Sequence, residues 1–206
     1  MKIVIPAAIV FFMWQGVMAQ TFELGGQIGY GKNYHDDYLN FRALFGNNTE
    51  NAYSIGLTGS YIPKQSIIEI TTGLVYQNNV FQSSNLNYFR IPIGVDFVFG
   101  NKLNFVIGGG IYLSYLFLES GSVTEEFNET KHDFQIGYYF DSGVKYKINE
   151  KLSLFLIMKV DGDISPLYQS QIPTHDGTEN YENIRSYDYQ LLVGFKHLIP
   201  GRKNQK

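Results

Sequence analysis

Cysteine is absent from this chain of 206 residues. The chain therefore has neither a disulfide framework nor a thiolate metal site, and a lipoprotein anchored through a cysteine is excluded. Charge is also scarce, at 17% of residues with a formal net charge of −3, so no strong field favours nucleic acid or an acidic substrate. We expect no cofactor and no nucleic-acid partner.

Long apolar runs are few, and one of them opens the chain, from Ile3 to Trp14. It is too short for a comfortable membrane-spanning helix, it follows Lys2, and it precedes the small residues around Ala19. This pattern predicts a signal peptide over residues 1–19 that is cleaved after Ala19. A retained transmembrane anchor is the alternative interpretation.

Aromatic residues and glycine are plentiful, with 16 Tyr, 16 Phe and 21 Gly, a composition that favours strands and tight bends. Apolar and polar residues alternate with a period of two in eight segments of the chain. In the segment FRIPIGVDFVFG, one face carries an unbroken apolar row: Phe89, Ile91, Ile93, Val95, Phe97 and Phe99. The fold should be almost entirely β.

Short and long links alternate between the eight segments. The short links are Pro63–Ser66, Gly100–Lys102 and Asn149–Lys151. The long links are Gly31–Ala52, Asn78–Leu86, Leu118–Asp133 and Gly162–Ile184. This alternation predicts an eight-stranded antiparallel up-and-down transmembrane β-barrel over residues 20–198, with short periplasmic turns, long extracellular loops and a polar tail at 199–206.

The apolar face of each segment could point into a soluble, lipocalin-like barrel or outward into lipid. The opposite face is rich in Gly, Ser, Thr and Gln, which is a poor surface for a secreted soluble protein, and aromatic residues lie near the segment ends, as in membrane barrels. We therefore predict a barrel in the outer membrane whose polar face lines a narrow, filled lumen. The inward charges are Glu23, Glu69, Arg90, Asp96, Asp141, Lys145, Lys147, Lys159, Asp161, Asp188 and Lys196. They are expected to form a structural network of ion pairs, and an ion or proton path is the alternative.

Two segments give the chain a resemblance to a known family: YFRIPIGVDFVFG, and NFVIGGGIYLSYLF after it. With the predicted signal peptide and eight strands, they resemble the PorT-like outer-membrane β-barrel family of Bacteroidota. The resemblance implies an eight-stranded barrel in the outer membrane, and one branch of the family works in type IX secretion. The chain departs from the usual terminal aromatic of such barrels, because KHLIPGRKNQK follows Phe195.

Candidate chemistry is sparse. His35-Asp36-Asp37 could form a metal or acid–base cluster, and His35, His132 and His175 fall in predicted outer loops, but no Ser/His/acid spacing stands out. The pattern Asp161-Gly162-Asp163 is interpreted as a turn with solvated carboxylates. We expect no catalytic residue and no metal site.

The leading hypothesis is a non-enzymatic, monomeric outer-membrane barrel that contacts lipid and acts through its loops as a structural or partner-binding component of the envelope. The expected contact surfaces are the loops Gly31–Ala52 and Gly162–Ile184, and the partner would be an envelope or secretion-system protein. The alternatives are a narrow porin-like channel for small solutes or ions and an outer-membrane lipid-modifying enzyme or protease.

Pro92 lies within the fourth segment, where a closed barrel has no edge at which its missing N–H would be harmless. We therefore expect a β-bulge near Pro92, or a lumen-side hydrogen bond to a carbonyl of the neighbouring strand.

Overall fold

The computed structural model describes residues 21–36, 49–63, 66–81, 84–120, 129–173 and 179–200. The predicted signal peptide over residues 1–19, the end of the predicted polar tail at 201–206 and His175 lie outside the described residues.

The described chain forms ten strands, eight of which build a closed barrel. The barrel strands are β1 (Thr21–Asp36), β2 (Glu50–Ile62), β3 (Ile68–Phe81), β4 (Ser84–Gly100), β5 (Leu103–Ser120), β7 (Phe134–Lys147), β8 (Leu152–Asp163) and β10 (Glu179–Pro200). Each pairs antiparallel with its neighbour, and β1 pairs with β10 from Thr21–Pro200 to Asp36–Arg185, which closes the ring. The predicted eight-stranded antiparallel barrel is confirmed. None of the described residues forms a helix that is long and apolar enough to cross a membrane.

The outer wall of the barrel is apolar along every strand. On β4, the six apolar residues from Phe89 to Phe99 that alternate along the strand are all exposed. Ten residue steps of about 3.3 Å, at a strand tilt of about 40°, cover about 25 Å, which is the height of the lipid-facing band of such barrels. The apolar face therefore points outward into lipid and the polar face into the lumen.

The two ends of the barrel differ in the length of their links. At the turn end, β2–β3, β4–β5 and β7–β8 are joined by short links, and both ends of the described chain lie there. At the loop end, β1–β2, β5–β7 and β8–β10 are joined by longer segments. The predicted long link Asn78–Leu86 is wrong, because β3 continues to Phe81 and β4 begins at Ser84. Its polar side chains join the strands instead, since the Nδ2 atom of Asn78 and the hydroxyl of Tyr76 both donate to the amide oxygen of Asn87.

A small second sheet stands at the loop end. β6 (Glu129–Lys131) pairs with β9 (Tyr168–Pro173), which pairs with the first residues of β10, from Glu179 to Ile184. Beneath it lies an apolar core of buried residues, against which Ile184 packs: Leu86, Tyr88, Leu116 and Leu167. The loop end is therefore a folded structure with its own core, joined to the barrel through β10.

Pro92 interrupts the ladder between β3 and β4. The paired residues pass from Thr72–Ile93 to Val75–Arg90 without a change of register, so two pairs are missing at Pro92. The hydroxyl of Thr72 donates to the carbonyl of Pro92 at 3.0 Å and satisfies an acceptor that the ladder leaves unused. The β-bulge expected near Pro92 is therefore wrong, and so is the lumen-side hydrogen bond, because the ladder has only a local gap there and Thr72 is on the exposed face. The register shift lies elsewhere, between β4 and β5 at Asn87 and Tyr88.

Candidate functional site

The lumen near the turn end is filled by two lysines and two glutamates, which we call the turn-end cluster. The Nζ atom of Lys145 lies 2.8 Å from the carboxylate of Glu23 and also binds Glu69. The Nζ atom of Lys196 lies 3.3 Å from Glu69 and donates to the hydroxyl of Ser60 at 2.6 Å. All four charged side chains are buried, and their charges balance.

A second group, the loop-end cluster, surrounds Arg90 nearer the loop end. The guanidinium of Arg90 binds Asp161 at 2.8 Å and Asp188 at 3.1 Å. Its Cζ atom lies 4.5 Å from the centre of the Tyr112 ring. The amide of Gln77 donates to Asp188 and its oxygen accepts from Arg90. Each charge thus lies beside an opposite charge inside the barrel, as a buried ion pair requires. The bonds of Arg90 all come from Nη1, and its Nε and Nη2 atoms are buried without a hydrogen-bond partner.

Asp163 extends the loop-end cluster, although sequence reasoning placed it in a solvated turn. It is buried within β8, where it accepts a hydrogen bond of 2.6 Å from the hydroxyl of Tyr112 and one of 3.1 Å from the amide of Ser186. That interpretation of Asp161-Gly162-Asp163 was therefore wrong. The alternation of inward residues Ser153 to Lys159 continues unbroken through both aspartates, and this was the signal that could have placed them.

Between the two clusters, paired residues of adjacent strands form a transverse row. Asp96 of β4 pairs with Gly108 of β5, Gly108 pairs with Asp141 of β7, and Asp141 pairs with Lys159 of β8. The row borders a cavity of about 60 Å³, which Asp96, Asp141 and Lys159 help to line.

Most of the charges predicted to face the lumen lie in these three groups. They are Glu23, Glu69, Arg90, Asp96, Asp141, Lys145, Lys159, Asp161, Asp188 and Lys196. The predicted lumen position of Lys147 is wrong, because Lys147 is the last residue of β7, where it still pairs with Ser153 of β8 but is exposed at the rim of the barrel. The neutral partners of the charges include Asn79, whose Nδ2 atom donates to Asp188 at 3.0 Å, together with Gln77 and Tyr112. They were not among the predicted site residues, since amides and tyrosines carry no distinctive spacing in a strand.

The predicted histidine and loop candidates are dispersed. His35 lies within β1 rather than in a loop, and Nδ2 of Asn33 lies 3.4 Å from its Nδ1 atom. His132 lies between β6 and β7, and His197 lies near the turn end of β10. Across the described ranges, no group of three or more His, Cys, Asp or Glu side chains is arranged to hold a metal ion.

The structure has the fold of the small outer-membrane β-barrels: eight antiparallel strands, an apolar wall and a polar, filled interior. Among solved structures, Neisserial surface protein A (NspA) matches with 13% identity and a TM-score of 0.53, over 84% of this chain and 95% of NspA. Outer membrane protein AlkL matches with 11% identity and a TM-score of 0.53, over 91% and 93%. The outer membrane enzyme PagL matches with 12% identity and a TM-score of 0.50, over 82% and 97%.

At these identities the likeness concerns the fold alone. No protein-family model matches the chain, and no curated protein does so either. The resemblance to the PorT-like family therefore stays a prediction.

Proposed function

We propose that this chain is a non-enzymatic, monomeric outer-membrane protein that serves the envelope as a structural or partner-binding component through its loop end. The observation that carries the proposal is the contrast between the two parts of the molecule. The lumen is filled at two levels by buried side chains, whereas the loop end carries a folded sheet above the wall. A filled barrel leaves the exposed loop end as the surface on which recognition can occur.

The loop end has the properties of a recognition surface that is held in place. Its apolar core of Leu86, Tyr88, Leu116 and Leu167 fixes the small sheet on the barrel. Preorganisation of this kind lowers the entropy lost on binding. The partner that we propose is an envelope or secretion-system protein, in keeping with the resemblance to the PorT-like family and its secretion-linked branch.

Site-specific photocrosslinking tests this proposal. A photoreactive residue at Ile164, which is exposed at the loop end, should capture a discrete partner in intact cells. The same residue at Asn101, which is exposed in a turn at the opposite end, is the matched control. Capture of the same protein from both positions, or of none from Ile164, would count against a partner-binding loop end.

The channel alternative predicts conductance, and we expect none. Arg90 and its partners occupy the lumen at one level, and Lys145 with Glu69 occupies it at another. Purified protein in planar lipid bilayers should therefore show no discrete single-channel steps. Steps whose size changes in Arg90→Ala or Glu69→Gln would instead establish a channel.

The enzyme alternative centres on His35, which the structure places beside Asn33 and across from Ser186 in the β1–β10 register. If the chain hydrolysed lipid or peptide, replacement of His35 by alanine should abolish turnover. Purified wild-type protein is expected to show no turnover of outer-membrane lipid or of peptide substrates.

A further inference from the structure

The carboxylates of Asp96 and Asp141 differ from the other acids of the two clusters and the row between them. The four lumen cations are used elsewhere: Lys145 and Lys196 bind Glu23 and Glu69, Arg90 binds Asp161 and Asp188, and Lys159 lies 3.7 Å from Asp161. Asp163 is satisfied by two hydrogen-bond donors. Among the described residues, Asp96 and Asp141 take part in no ion pair.

The two carboxylates converge on one small space. A Cβ atom on Gly108 would overlap the Oδ1 atom of Asp96 and would lie 2.5 Å from the Oδ1 atom of Asp141. Both Oδ1 atoms are buried without a hydrogen-bond partner, and Asp96 as a whole is only 5% exposed. Because the glycine between them in the row has no side chain, the two carboxylate oxygens can approach each other over its backbone.

The space opens into the cavity of about 60 Å³ between the two clusters. A cavity that holds one water needs about 10–15 Å³ on this measure, so there is room for an ion with a few waters. Oxygen-bearing side chains in the lining include Gln27, Thr58, Thr71 and Tyr139, and Lys159 and Lys196, which are paired with other acids, also line the cavity. Carboxylates with neutral oxygens and water are the ligands that hard cations prefer.

We propose that Asp96 and Asp141 hold a single hard divalent cation of the calcium class over Gly108, within the lumen of the folded barrel. Two carboxylate oxygens supply the charge, and neighbouring side-chain oxygens and water complete the coordination. An isolated buried carboxylate is strongly unfavourable, and here two share one space with no protein cation bound to either. The site is independent of the proposed function at the loop end.

The test uses the full chain folded in zwitterionic detergent, which adds no anionic headgroups that bind calcium. Equilibrium dialysis with radioactive calcium should find about one ion per folded chain, and the urea midpoint of unfolding should rise with calcium concentration, as expected for a ligand of the native state. Sodium chloride at equal ionic strength should not reproduce this shift.

Matched variants decide the assignment. Asp96→Asn with Asp141→Asn keeps the shape of both side chains and should lose both the bound ion and the calcium-dependent shift. Glu150→Gln removes an exposed turn carboxylate and should keep both. If the double variant does not fold, Gly108→Ala retains every carboxylate and fills the space, and it should lose the ion as well.

Three outcomes would overturn the proposal. In the first, calcium remains bound in the double variant and in Gly108→Ala. In the second, the wild-type protein binds no calcium at millimolar concentration. In the third, the stability of the protein depends on pH through these residues but does not depend on calcium. The last outcome would assign a shared proton to the pair instead of a metal ion.

Discussion

Replacement of Arg90 by alanine should lower the free energy of unfolding by about 3–5 kcal/mol, the range for removal of one partner from a buried ion pair. Arg90 is 1% exposed, and its loss leaves Asp161 and Asp188 buried without their shared cation. The change is measured by unfolding the detergent-folded protein in urea and monitoring the loss of β-structure by far-ultraviolet circular dichroism.

Two variants distinguish an electrostatic cause from a packing cause. Lys147→Ala, at an exposed position of β7, should change stability by no more than about 0.5 kcal/mol. Arg90→Met combined with Asp161→Asn and Asp188→Asn removes the three charges together and should recover a large part of the loss. A triple variant that is as unstable as Arg90→Ala would show that packing of the guanidinium, rather than unpaired charge, dominates.

Gly25→Ala should destabilise the barrel at its closing seam, whereas Gly26→Ala should not. A Cβ atom on Gly25 would overlap the carbonyl oxygen of Phe195 and lie 2.8 Å from its carbon, both of which belong to the backbone of β10. A Cβ atom on Gly26 would lie 3.4 Å from the ring of Phe195, which can shift.

We expect a loss of about 1–3 kcal/mol for Gly25→Ala, as for overpacking of a well-packed core, and a change near zero for Gly26→Ala. The stability of both variants is measured by urea unfolding, and by whether the folded barrel keeps its heat-dependent mobility in gel electrophoresis. Equal stability of the two variants would mean that β1 and β10 can separate locally at little cost.

The fold could be predicted from the sequence because one physical rule applies along the whole wall. Lipid on one side and a crowded polar lumen on the other impose a period of two, and the six apolar residues of β4 show it without interruption. The positions of the strand ends at the loop end could not be predicted from this alternation, because they depend on hydrogen bonds between polar side chains. The polar residues near Asn78 and Asn87 have loop-like composition, yet they hydrogen-bond across β3 and β4 and extend the hairpin.

Most of the lumen charges were predictable, with Lys147 and Asp163 as the exceptions, but their pairing was not. Parity along a strand places Glu23 and Lys145 inside, and it cannot show that they lie 2.8 Å apart, since this depends on how strands far apart in sequence meet across the barrel. For the same reason, the convergence of Asp96 and Asp141 over Gly108 appears only when three strands are placed side by side. The small sheet could not be predicted either, because β6 and β9 have only 3 and 6 residues, which is too short for a recognisable alternation.

The continuity of β10 has a mechanical consequence. One unbroken strand of 22 residues belongs both to the small outer sheet and to the closing seam with β1. A partner that pulls on this sheet would load β10 along its own axis, so the hydrogen bonds to β1 and β8 would be sheared together rather than opened one after another. Such a load would thus be shared by the two strands that flank β10 in the barrel.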